Sequence, residues 1–212
     1  MKFQGFPEQA LLFYEGLKAD NSKPYWTDHK AVWESCVRAP MEALLAELEP
    51  EFGSAKIYRP YRDVRFSKDK APYKTALGAS SQSGGYVQLS ARGLAVGGGY
   101  YQTATDQVQR LRRSIADDVR GPELERIVAT LRRSGYEVEG ERLKTAPRGY
   151  PADHPRADLL RYKSMVAWRE WDAEPWLHGR QALAKVRGAW RAIRPLSEWL
   201  DANVGATDQP PR

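Results

Sequence analysis

Residues 85–91, GYVQLSA, alternate so regularly that they commit this part of the chain to a sheet. Val87, Leu89 and Ala91 fall on one side and Tyr86, Gln88 and Ser90 on the other, which is the period-two pattern of a strand with one buried face. A turn at Arg92-Gly93 brings the chain back as GLAVGGGYY, so the segment reads as a β-hairpin. The residues before it follow a different period. Phe6, Ala10, Phe13 and Leu17 recur at helical spacing, with Pro7 suited to the first turn. Asp20-Asn21-Ser22 interrupts that helix and Pro24 can restart it. Trp26, Trp33, Val37, Leu44 and Leu48 then carry the apolar stripe onward, with Pro40 as a kink or break. Packing of the two helices against each other would start the core.

The rest of the chain fills in the same architecture. AKIYR and TALGAS read as short strands before the hairpin, and YEVEG and MVAWREW as strands after it. Helices are predicted over 105–119, from Val108, Leu111, Ile115 and Val119, and over 122–134, between Pro122 and Gly135. A last helix is predicted over 175–200, and 201–212 as a disordered tail. The expectation is one α+β domain over 1–200: an N-terminal helical hairpin packed on a mainly antiparallel sheet, with further helices toward the C-terminus.

Composition bounds the function. The single cysteine, Cys36, excludes an intramolecular disulfide and any cysteine-built metal cluster. The start has no apolar run long enough for a signal peptide, and no later run could span a bilayer, so a cytoplasmic protein is expected. The three histidines show no zinc-ligand spacing and there is no Gly-x-Ser-x-Gly elbow, so a site that uses neither metal nor cofactor is expected. The net charge of +6 is unevenly placed: residues 58–75 and 142–163 each carry six basic and two acidic residues. Charge concentrated in this way points to an anionic partner.

The first of those segments contains RDVRFSKDKAPYKT, residues 62–75. Arg62 and Arg65 offer planar forks for phosphate or carboxylate, while Lys68, Lys70 and Lys74 supply point charges on a loop that Pro72 keeps from becoming helical. If 62–66 is extended, Arg62, Val64 and Phe66 face one way. Tyr58, Tyr61, Phe66 and Tyr73 could stack on a base while the cations hold phosphates. The alternative is a lock in which the arginines pair with Asp63, Asp69 or a distant glutamate. The second segment, LKTAPRGYPADHPRADLLRYKS, is a proline-rich loop with Lys144, Arg148, His154 and Lys163. Residues 97–106, GGGYYQTATD, read as a strand end followed by an ordinary capped helix, because neither a P-loop nor a dinucleotide fingerprint is present. Arg180, Arg187, Arg191 and Arg194 form an edge along the last helix, where they either meet nucleic acid or cover tryptophan and pair with acids.

Three blocks resemble an uncharacterised family of bacterial and fungal proteins, a domain of unknown function with an RDxRFSKDKxPYKT motif. LKADNSKPYWTDHK (17–30) is similar to its leader at Asn21, Trp26 and Lys30. Residues 58–75 match its most specific block at Arg62, Asp63, Arg65, Phe66, Lys68, Asp69, Lys70, Pro72, Tyr73 and Lys74. Residues 143–164 match at Leu143, Lys144, Pro147, Gly149, His154, Pro155, Leu160 and Lys163. The resemblance covers about 3–170 and leaves out the arginine-bearing helix after Pro175; where the family is expected to place a proline, this chain has Tyr101-Gln102-Thr103. It implies a single α+β domain and no established reaction.

The functional expectation is a metal-independent basic pocket for a phosphate-bearing ligand, a nucleotide or a nucleic-acid end. Arg62, Arg65, Lys68, Lys70, Tyr73 and Lys74 would form one wall, and Lys144, Arg148 and Lys163 the other. Asp63 or His154 would carry a proton if acid/base or phosphoryl chemistry takes place there. The alternatives are a DNA- or RNA-binding module and a structural or protein-interaction domain.

Overall fold

The computed structural model describes residues 2–65 and 68–209. Its elements run α1 (Glu8–Ala19), α2 (Lys23–Val32), α3 (Ala39–Phe52), β1 (Ala55–Ile57), β2 (Ala76–Ser81), β3 (Gly85–Ser90) and β4 (Gly93–Tyr100). They continue with α4 (Thr105–Ala116), α5 (Arg120–Arg133), β5 (Glu137–Glu139), α6 (Ala157–Leu160), β6 (Met165–Asp172) and α7 (Gln181–Asn203). The strands form one sheet in the order β1-β2-β3-β4-β6-β5. The fold is α+β, as expected, with N-terminal helices on an antiparallel sheet and further helices toward the C-terminus. No helix among the described residues is long and apolar enough to cross a membrane.

Pro40 does not break the second helix. A π-helical stretch, Trp33–Arg38, joins α2 to α3, and the N–H of Ala39 reaches back to the carbonyl of Glu34. The wider turn accommodates a proline ring that would otherwise press on the preceding turn. The last helix is also divided. Pro175–His178 is a 3-10 turn, and α7 proper starts only after Gly179 and Arg180.

The chain forms two compact units, each built from two segments: Met1–Val96 with Glu170–Trp190, and Gly97–Arg169 with Arg191–Arg212. In the first, β2 and β3 pair antiparallel with Leu77 opposite Leu89 and Ala79 opposite Val87. Those four side chains are buried, and α1 packs on β3. The opposite sheet face carries Ser80, Tyr86 and Gln88, as alternation dictates. The two segments of this unit are tied together here. Arg180 donates to Glu47 through both terminal nitrogens (3.1 and 2.7 Å) and to the carbonyl of Phe3. Arg187 lies 3.8 Å from Glu51 and donates to the carbonyl of Glu47. Trp190 donates its indole N–H to the carbonyl of Tyr86 (2.9 Å) and packs edge-on to Phe52.

In the second unit, α4 and α5 pack together. Asp117 caps α5 by accepting the N–H groups of Val119 and Arg120 (3.0 and 2.9 Å). Arg156, only 7 % exposed, donates to the carbonyls of Ile115 and Ala116 and so satisfies the end of α4. Within the segment predicted as a tail, residues 201–203 continue α7, Gln107 donates to the carbonyl of Gly205, and Arg110 donates to those of Val204 and Ala206. Asp106 accepts from Thr207 and from the N–H of Asp208, and chiefly the latter bond holds its carboxyl down at about 2.

Gly85 offers a direct test of the packing beside β3. A Cβ placed there would lie 2.6 Å from the indole of Trp190, so Gly85→Ala must move the ring or the strand. We expect the variant to lose about 1–3 kcal/mol in urea unfolding, typical of overpacking; an unchanged midpoint would contradict the contact.

Candidate functional site

The RDVRFSKDKAPYKT segment is a loop on a short antiparallel stem. Tyr61 and Tyr73 form an isolated bridge, the N–H of Arg62 donates to Pro72 (2.8 Å), and that of Lys74 donates to Pro60 (2.7 Å). Asn21, in the turn after α1, holds the stem. Its amide nitrogen donates to the carbonyl of Tyr73 (3.1 Å) and its oxygen accepts the N–H of Tyr73 (3.0 Å). The ring of Tyr73 is only 5 % exposed and stacks on Trp26, 4.5 Å between centroids and 8° from parallel. That ring therefore shapes a wall and has one face already covered. It is not an open platform for a base.

The loop balances much of its own charge. Asp63 accepts two bonds from the Arg65 guanidinium (2.9 and 2.7 Å), and Arg62 donates to Asp69. Asp69 also accepts the N–H of Ala71 (2.9 Å), and Lys70 donates to the carbonyl of Val64 (3.0 Å). The Arg65 side chain holds the Asp63 carboxyl below the usual carboxylate range. For Asp69 the Ala71 N–H is the larger cause and Arg62 adds to it. Asp63 is thus an ionised ion-pair partner near neutrality, a poor proton carrier. Lys68 is exposed, and Phe66, proposed as a stacking residue, lies outside the described residues.

Beside the stem the first unit has a groove of about 680 Å³. Lys18 and Asn21 enter it from the end of α1, Arg62, Asp69 and Lys74 from the loop, and Tyr86 and Gln88 from the open face of β3. Tyr58 completes this aromatic and polar wall. Its hydroxyl lies 2.9 Å from that of Ser80, its ring centroid is 6.4 Å from that of Tyr86, and Lys74 Nζ lies 5.6 Å from its own. Tyr86 donates to Gln88 Oε1 (3.0 Å), and burial pushes its phenol up. Gly78 makes this possible, since a Cβ there would lie 2.3 Å from the Tyr86 hydroxyl. Lys18, Arg62 and Lys74 face one carboxylate, Asp69, in this lining.

The structure thus brings Arg62, Tyr73 and Lys74 together with Tyr58, one of the aromatics expected to stack on a base, and adds Lys18, Asn21, Tyr86 and Gln88, which were not among the expected site residues. The expected second wall belongs to the other unit. There Lys144 and Arg148 are exposed, and Lys163 pairs with Glu141. His154 accepts the N–H of Arg156 at Nδ1 (3.0 Å) just before α6. Of the arginine edge, Arg180 and Arg187 are engaged by Glu47 and Glu51. Among the described residues no group of three or more His, Cys, Asp and Glu side chains is placed to hold a metal ion.

Comparison with known families matches residues 9–199 to one described as "Conserved hypothetical protein (DUF2461)". The match runs past the limit that the resemblance set and takes in most of α7. No curated protein and no solved structure matches the chain.

Asn21 is the residue on which the loop hangs. We expect Asn21→Ala to leave the Tyr73 N–H and C=O without these partners and to cost about 1–3 kcal/mol in chemical denaturation. A loss near zero would show that the stem does not depend on Asn21.

Proposed function

Because the chain belongs to the DUF2461 family, whose description names no reaction, we propose its function from the groove itself: it binds a phosphate-bearing ligand, a nucleotide or a nucleic-acid end. The observation that carries this reading is the lining, where Lys18, Arg62 and Lys74 gather beside Tyr58 and Tyr86 in a space of ligand size. Lysine and arginine supply the positive charge that such a ligand needs. Tyrosine faces suit a base, and Gln88 keeps both amide hydrogens for its edge while Oε1 takes the Tyr86 hydroxyl. The reading is one of binding. Asp63 is engaged by Arg65, and His154, which accepts the N–H of Arg156, is not among the groove's lining residues, so neither is assigned a proton-transfer role.

The structural reading has a specific observation in its favour, namely the Arg62–Asp69 and Arg65–Asp63 pairs. Exposed ion pairs of this kind stabilise weakly, so they set the loop's shape more than its stability. The nucleic-acid module is less favoured, because its arginine edge is partly engaged by Glu47 and Glu51.

Thermal shift separates these readings. At about a hundred times its dissociation constant a ligand stabilises by roughly 2.7 kcal/mol. We expect phosphate esters or nucleotides to raise the melting temperature of the wild type, and Lys18→Ala/Lys74→Ala to abolish the rise while melting normally without ligand. A rise that survives in the double variant would place the binding elsewhere.

A further inference from the structure

Resting on that reading of the groove, we infer that Gln88 makes the site select 6-oxopurine nucleotides, those of guanine and hypoxanthine, over adenine nucleotides. Gln88 and Tyr86 share the open face of β3, and Gly78 stands opposite Gln88 on β2. Gly78 has no side chain, and the Tyr86 hydroxyl takes that place: a Cβ on Gly78 would lie 2.3 Å from it. There the hydroxyl donates to Gln88 Oε1 at 3.0 Å, and burial pushes the phenol up, so it keeps the proton it donates. The amide is thereby oriented. Its acceptor is taken, and its Nε2 hydrogens are left to a ligand.

The lining gives the groove a phosphate end and a base end. Lys18, Arg62 and Lys74 come from the end of α1 and from the loop, whereas Tyr86 and Gln88 stand on the sheet. Tyr58 links the two: its ring centroid lies 5.6 Å from Lys74 Nζ and 6.4 Å from that of Tyr86. A nucleotide whose phosphate meets the cations can therefore lay its base along the tyrosines toward Gln88. On the edge that carries N7, guanine and hypoxanthine present two acceptors, N7 and O6, while adenine sets the N6 donor beside N7. A free glutamine pairs with adenine twice, giving an Nε2 hydrogen to N7 and accepting N6–H on Oε1. Gln88 has already given Oε1 to Tyr86. Adenine then loses its second bond, and its amino group faces another donor. The 6-oxopurines meet a group that only donates, which is what N7 and O6 require.

Calorimetric titration of the full chain with GMP, IMP and AMP at one ionic strength tests this. The three share one sugar and one phosphate, so the base alone sets the ratio of their affinities. The wild type should bind GMP and IMP about tenfold more tightly than AMP. Tyr86→Phe releases Oε1 and should cut that preference to about threefold or less by improving AMP. Gln88→Glu offers acceptors only and should reverse the preference, whatever it does to the affinity for all three. If the wild type binds the three alike, favours AMP or favours GMP alone, or if either variant keeps the wild-type ratio, the role of Gln88 is overturned while the groove reading stands. If the wild type binds none of them, the groove reading falls and this inference falls with it.

Discussion

Asn21 and the backbone of Tyr73 exchange two hydrogen bonds, and the polar architecture of the first unit follows from that exchange. The side chain of a turn residue acts here as an extra strand residue: it gives one donor and one acceptor to a stem that has little regular structure of its own. The stacked rings of Trp26 and Tyr73 shield the same junction. With its stem fixed, the long basic loop presents Arg62 and Lys74 toward the open face of β2 and β3, where Gly78 leaves room for the Tyr86 ring. A helix turn, a loop and a sheet face are thereby brought to one groove.

Charge within that groove is incompletely balanced, and this imbalance motivates the functional proposal. Arg65 and Asp63 neutralise each other at the exposed tip, and Arg62 has Asp69 beside it. Lys18 and Lys74 have no counterpart among the lining residues. The block is therefore both a charge-paired loop and a source of cations, and the two readings weighed from the sequence describe different halves of it. Two arginines at the start of the last helix serve a separate purpose. Arg180, just before α7, and Arg187 within it join this segment to α3 through Glu47 and Glu51.

The elements were largely legible because their periods were clean. Val87 and Leu89 against Tyr86 and Gln88 announced β3, although Ala91, read as part of the strand, lies in the turn. Phe13 and Leu17 announced α1. Pro40 misled because proline signals a break only when the surrounding turn keeps α-helical spacing, and here the π stretch does not. The lining of the groove was half legible. Arg62, Tyr73 and Lys74 stood out by residue type, and the outward positions of β3 could have pointed to Tyr86 and Gln88. Lys18 looks like any surface lysine on α1. No local pattern joins Glu47 to Arg180, or buries Arg156 under the end of α4, since those contacts arise only when distant segments pack.

An NMR titration of isotopically labelled protein with phenyl phosphate would test the central claim most directly. The groove account predicts saturable shifts at the amides of Lys18, Asn21, Tyr58, Lys74, Gly78, Tyr86 and Gln88, with residues 143–163 little changed. Shifts confined to residues 143–163, or none at concentrations that saturate ordinary phosphate sites, would contradict it.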